Sequence, residues 1–160
     1  MSTAPTSLGS RRLKDKLILS PSDAFGPPIE RKVIACLLAQ SSGLNVKEVH
    51  QCSGLWADGY LRLNDGNDVP FEIKSTLDFR SLSTAVVQVI SLGYVKKLRM
   101  SEAWVIFTKL SPDWVKASPT APLREPQYCL SEFKVGPPIK LVQYFEPCAL
   151  KLAAGTPSAA

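Results

Sequence analysis

The chain of 160 residues holds a single histidine and only four cysteines, and those cysteines are widely spaced. Cys36, Cys52, Cys129 and Cys148 form no C-x-x-C pair, and His50 stands alone, so the short-spaced ligands of a zinc site are missing. Reduced thiols in a cytoplasmic protein are the default expectation for such a pattern. Apolar runs fall well short of the roughly 20 residues that a membrane span requires. Met1 to Ser10 is small and polar where a secretory leader would be apolar, so none is expected. No internal repeat is present, and the length suits one domain with one core.

What is present is ordinary in bulk. Hydrophobic residues make up 45% and charged residues 21%, as in a soluble globular domain. The net charge of +5 leans toward anionic partners such as nucleic acid, a weak inference by itself. Residues 1–20, with Arg11, Arg12, Lys14 and Lys16 against Asp15, read as a flexible basic arm rather than a transit peptide. Residues 21–152 read as one domain and 153–160 as a disordered tail of Ala, Gly, Ser and Pro.

Within the domain, Pro27 and Pro28 open a helix, where proline is tolerated in the first turn. Ile29, Val33, Cys36, Leu37 and Gln40 follow helical spacing, and Gly43 is placed to end it. Val46–Gln51 is a strand candidate. Leu55–Leu63 and Val69–Ser75 are two further strands across the turn-rich Asn64-Asp65-Gly66-Asn67. Ser81 or Ser83 is the expected cap of a helix running to about Arg99, with Leu82, Ala85, Val86, Val89 and Gly93 inward. Lys96, Lys97 and Arg99 would complement its negative end. Ala103–Thr108 reads as a strand covered on both faces. Residues 111–126 hold several prolines and read as loop, while Tyr128–Leu130 and Lys140–Phe145 read as outer strands. The order is α-β-β-β-α-β plus additions: an α/β fold with a mixed central sheet flanked by helices.

The hairpin carries the chemistry. Phe71 and Ile73 share one strand face, Glu72 and Lys74 the other. In the preceding strand Leu55, Ala57, Gly59, Leu61 and Leu63 oppose Trp56, Asp58, Tyr60 and Arg62. A two-residue Asp65-Gly66 turn would set Asp58 against Ile73, on the wrong face. A three-residue Asn64-Asp65-Gly66 loop pairs Leu63 with Asn67 and gives Gly66 the left-handed position. Asp58 then lies opposite Glu72, Trp56 opposite Lys74, and Arg62 opposite Asp68. The two carboxylates would stand about 5 Å apart at Cβ, close enough to share a cation. Adjacent carboxylates repel, and a hard divalent cation such as Mg²⁺ relieves this directly. The spacing alone is equally compatible with a solvated polar face.

Asp58…Glu72-Ile73-Lys74, set in this order of elements, resembles the D…(D/E)-x-K signature of the PD-(D/E)xK nuclease superfamily, whose restriction-endonuclease-like fold includes Holliday-junction resolvases. The resemblance covers roughly residues 27–109. It implies a Mg²⁺-dependent endonuclease, with Mn²⁺ able to substitute, hydrolysing phosphodiesters in nucleic acid, DNA above all. Asp58, Glu72 and the Ile73 carbonyl would hold the metal, and Lys74 would serve the attacking water. Glu30 matches an acidic residue many members carry on the first helix, and Gln88 a polar residue on the second. Ala57 stands where the name-giving proline would be, a departure from the pattern.

Each accessory residue also has a plainer role: Glu30 as complement to a helix dipole, Gln88 as the polar flank of a helix, Ser75 as a strand end, His50 as a structural residue. Trp56 and Tyr60 would cover the sheet or stack on a base, and Trp114 is a candidate contact for substrate or partner. Arg11, Arg12, Ser75, Lys96, Lys97 and Arg99 are candidate contacts to a phosphate backbone. A chain this short implies structure-selective or partner-directed cutting, as a homodimer or within a larger nucleic-acid-processing complex. The competing reading is a catalytically silent module of the same fold that binds nucleic acid or a protein.

Overall fold

A computed structural model describes residues 14–54, 56–112 and 136–155. Seven strands, β1 (Lys14–Ile18), β2 (Val46–Ser53), β3 (Gly59–Leu63), β4 (Asp68–Leu77), β5 (Ala103–Leu110), β6 (Ile139–Phe145) and β7 (Ala149–Gly155), form one sheet. They lie side by side in chain order. β4 runs parallel to β5 and β5 to β6, while the other neighbours are antiparallel, so the sheet is mixed. Helices α1 (Pro28–Ala39) and α2 (Phe79–Val95) complete the frame.

Strand alternation decides which helix covers which face. Leu61, Phe71, Ile73, Ile106 and Val142 pack with Val33, Ile34 and Leu37 of α1. Tyr60, Val105, Phe107 and Leu141, one residue out of phase, pack with Leu82, Ala85, Val86 and Val89 of α2. The central strands β3 to β6 therefore contribute to two cores, which is why the β5 run is apolar at nearly every position. The expected α-β-β-β-α-β order is present as α1-β2-β3-β4-α2-β5, with β1 before it and β6 and β7 after. Among the described residues no helix is long and apolar enough to cross a membrane.

Several expectations are corrected. Within the arm expected over residues 1–20, Lys14–Ile18 is a strand that pairs with β2 from Lys14↔Ser53 to Ile18↔Val49, and residues 1–13 lie outside the described residues. Four of its five residues are exposed, so it shows no amphipathic alternation, and charged residues suit an edge strand. Of the tail expected from Ala153, Ala153–Gly155 belongs to β7, and residues 156–160 lie outside the described residues. Helix α2 starts at Phe79 and ends at Val95, not at Ser81 or Ser83 and Arg99. Its cap is Asp78, whose carboxylate accepts from the Ser81 N–H at 2.7 Å while the Asp78 N–H donates to the Ser81 hydroxyl at 2.9 Å. Ser81 is the reciprocal partner of the cap, in the place usually held by Glu or Gln.

The first hairpin strand begins at Gly59 rather than Leu55, so Trp56 is outside the ladder and not paired with Lys74. Ala57 accordingly leaves the predicted Leu61 face and is buried in the core beneath α2. The expectation of free thiols fails for two cysteines: Cys36 of α1 and Cys148 before β7 form a disulfide across 112 residues of sequence. Cys52 remains a buried free thiol. Leu55, Trp114, Tyr128–Leu130, Cys129 and most of the 111–126 loop lie outside the described residues.

Candidate functional site: a carboxylate cluster at the mouth of a hairpin

The hairpin adopts the register that its face parity requires. Gly59 pairs with Phe71, Tyr60 with Pro70, Leu61 with Val69 and Arg62 with Asp68. The loop is closed by the Leu63 N–H to the Asn67 carbonyl at 2.8 Å and the Gly66 N–H to the Leu63 carbonyl at 3.0 Å. Gly66 has φ +90°, the left-handed position at which glycine avoids a Cβ penalty. Arg62 Nε donates to Asp68 Oδ1 at 3.0 Å, the expected cross-strand pair.

One step beyond the last ladder pair stand Asp58 and Glu72. The Asp58 N–H donates to Glu72 Oε1 at 3.0 Å, and the Ile73 N–H donates to Asp58 Oδ2 at 2.7 Å. Lys74 Nζ lies 3.1 Å from Glu72 Oε2. Glu72 is only 5% exposed, which makes it one of the few buried charged side chains. Its position follows from β4 being central, hydrogen-bonded to β3 on one side and β5 on the other.

Burial without enough counter-charge sets the electrostatics. Desolvation pushes the Asp58 carboxyl up, and the neighbouring charge of Glu72 pushes it further, against the Ile73 N–H bond. Burial likewise raises Glu72 despite Lys74. Glu30, on the first turn of α1, is pushed up to about 7 by burial, then by the charge of Asp58 and a hydrogen bond with it, with Lys74 opposing. Three carboxyl groups from α1, the β3 entry and β4 thus influence one another around a single lysine.

The donor set consists of oxygens, the ligands a hard divalent cation prefers, and its surplus of carboxyls, Glu72 buried and Asp58 and Glu30 half-buried, is what such a cation would neutralise. In chemistry the residues fit. In arrangement, both Glu72 oxygens are already engaged, and among the described residues no three His, Cys, Asp or Glu side chains converge as a ready metal-ligand cluster.

The remaining candidates disperse. Gln88 is half-buried on α2, and its Oε1 is buried without a hydrogen-bond partner, so that atom does not link it to Asp58, Glu72 or Lys74. Ser75 is exposed, and its carbonyl accepts from the Thr108 hydroxyl. Lys96, the C-terminal cap of α2, is ion-paired to Asp15 at 2.7 Å. Lys97 and Arg99 are exposed just beyond it, while Arg11 and Arg12 lie outside the described residues. Trp56 and Tyr60 pack on the α2 core and cover the sheet. His50 stacks on Tyr60 at 4.5 Å, with Nδ1 2.8 Å from Asp15 and Nε2 3.1 Å from Glu48.

Sequence reading passed over Gln51, which is fully buried and holds both backbone groups of Phe25. Its signal was a polar residue two positions after Val49, on the same inward face of a strand. Asp15 was also passed over, for want of any local pattern. No family model matches the chain, and neither curated proteins nor solved structures yield a match.

Proposed function

We propose that the chain is a divalent-cation-dependent nuclease with a restriction-endonuclease-like core, hydrolysing phosphodiesters in nucleic acid, DNA foremost. The observation that carries the reading is the cross-strand meeting of half-buried Asp58 and buried Glu72, with Lys74 as the cation beside them. Asp58, Glu72 and the Ile73 carbonyl are the proposed ligands of Mg²⁺ or Mn²⁺, with Glu30 as a third carboxylate. The bound cation would supply Lewis-acid stabilisation of charge at phosphorus. The Ile73 N–H keeps one Asp58 oxygen oriented, and Lys74 holds Glu72 while its ammonium stands ready to orient a water or meet an anionic phosphate. Lys97 and Arg99 are exposed cations suited to backbone contact.

A second reading is supported by the engagement of both Glu72 oxygens and the lack of a ready three-ligand cluster among the described residues. In it the same α/β scaffold binds nucleic acid or a partner without cutting. Labelled duplex, single-stranded and branched DNA and RNA, incubated with Mg²⁺ or Mn²⁺, separate the two. Cleavage by the wild type that disappears in Lys74→Ala and Glu72→Ala supports the nuclease. Cleavage persisting in both variants, or binding with none, overturns it.

A further inference from the structure

We infer that Gln51 is a positioning residue for Glu30: its side-chain amide pins the Phe25–Gly26 loop so that the first turn of α1 delivers the Glu30 carboxylate to Asp58. The inference rests on the metal-site reading above and assigns a residue that the D…E-x-K pattern does not contain.

Gln51 sits in β2 with no exposed surface, an expensive place for an amide unless every polar atom is paired. Its Oε1 accepts the Phe25 N–H at 3.0 Å and its Nε2 donates to the Phe25 carbonyl at 2.7 Å. A single side chain thus imitates the edge of a strand toward a loop 26 residues earlier in sequence. A side-chain amide presents a donor and an acceptor in that planar arrangement without needing a bound proton, as a carboxyl would.

The pinned loop runs directly against the candidate site. Gly26, with φ +89°, would place a Cβ 2.8 Å from Glu30 Oε2 and 3.9 Å from Gln51 Nε2. Glycine at this point leaves the space the glutamate carboxyl uses. The backbone of Gln51 is tied to the other side of the site as well, since Gln51 pairs with Gly59 and the following Cys52 N–H donates to the Asp58 carbonyl at 2.7 Å. Gln51 therefore spans the strand entry that carries Asp58 and the loop that leads to Glu30. Because Asp58 is held through the backbone of β2 and not through the Gln51 side chain, removing the amide is expected to free the loop and leave Asp58, Glu72 and Lys74 in place.

The test compares wild type, Gln51→Met, Gly26→Ala, Glu30→Gln and the Gln51→Met/Glu30→Gln double variant, with circular dichroism and melting as controls of fold. Two readouts are taken: the Glu30 side-chain carboxyl ¹³C resonance without metal, and Mn²⁺ binding followed by electron paramagnetic resonance. Gln51→Met and Gly26→Ala are expected to shift the Glu30 resonance toward those of exposed glutamates. Both should weaken Mn²⁺ binding by about tenfold, the scale of losing a supporting contact. The double variant should bind no more weakly than Glu30→Gln, because both changes remove the same contribution. Gly26→Ala, whose Cβ meets Glu30 directly, shows what a displaced Glu30 looks like; an unmoved Glu30 resonance in Gln51→Met, or additive losses in the double variant, would overturn the inference. If the wild type binds no Mn²⁺, the metal reading fails, and the resonance alone still decides whether Gln51 positions Glu30. Should Gln51→Met not fold, Gln51→Asn, which keeps the amide but withdraws it by one carbon from Phe25, decides by the same two readouts.

Discussion

Two clusters of charged residues lie along the same hairpin, and they are built on opposite principles. At the outer edge, Asp15 receives Lys96 at 2.7 Å, the Tyr60 hydroxyl at 2.8 Å and His50 at 2.8 Å. Burial pushes its carboxyl up, but those three donors together outweigh burial and hold it below the ordinary value. Glu48 is lowered as well, chiefly by its hydrogen bond with His50, with Arg62 adding to it. At the hairpin mouth, Asp58, Glu72 and Glu30 share one lysine, and all three are raised. The first cluster is self-sufficient and binds β1 to the sheet. The second sets three carboxyls against one lysine, an imbalance that protonation, or the cation proposed above, would relieve.

The difference can be tested by neutralising one carboxylate in each cluster. Glu72→Gln should lower cleavage by at least about 100-fold, the scale of losing one preorganised charged group. The same change should leave stability in urea without metal unchanged or increased, because it removes a buried charge. A clear loss of stability would place Glu72 in the structural class instead.

Changing pH should separate the clusters next. The folded value of Glu30, about 7, lies above its ordinary 4.5, so the folded chain holds that proton more tightly. Its contribution to stability is complete below about pH 4.5 and is lost as pH rises through about 7. Metal-free protein should therefore melt at a lower temperature at pH 8 than at pH 6, and saturating Mg²⁺ should shrink that gap by binding only the folded form. For Asp15 the sign is reversed. Its contribution is present above its ordinary 3.8 and is lost as pH falls through the lower folded value. A melting temperature that rises steadily from pH 5 to 8 without metal would contradict the contrast.

The smallest effect belongs to Asp15→Asn, which keeps the shape and loses the charge. A loss of about 1.5–3 kcal/mol at most in urea denaturation is expected, the range for hydrogen bonds to charged groups, with cleavage unaffected. Cleavage that fell together with stability would mean that the edge network reaches the site.

The legible part of this molecule was local. The parity of apolar residues on two adjacent strands, combined with Gly66 in a three-residue loop, led to the register that sets Asp58 beside Glu72. Long helical spacings located α1 and α2, although the expected cap of α2, Ser81 or Ser83, lies three or five residues past Asp78, because Asp and Ser are both good capping types. β1 was not legible, since only Ile18 of its five residues is buried and its strand state comes from pairing with β2.

The sequence by itself determined the hairpin, its register and its row of Asp58, Glu72 and Lys74, because turn chemistry and strand alternation act over a few residues. Only the tertiary structure decided that Cys36 meets Cys148, that Asp15 gathers His50, Tyr60 and Lys96, and that Gln51 holds Phe25 while Glu30 approaches Asp58. Those contacts join residues far apart along the chain, with no local period to announce them. They exist because two helices cover opposite faces of one sheet and bring distant side chains to its edge and its open end.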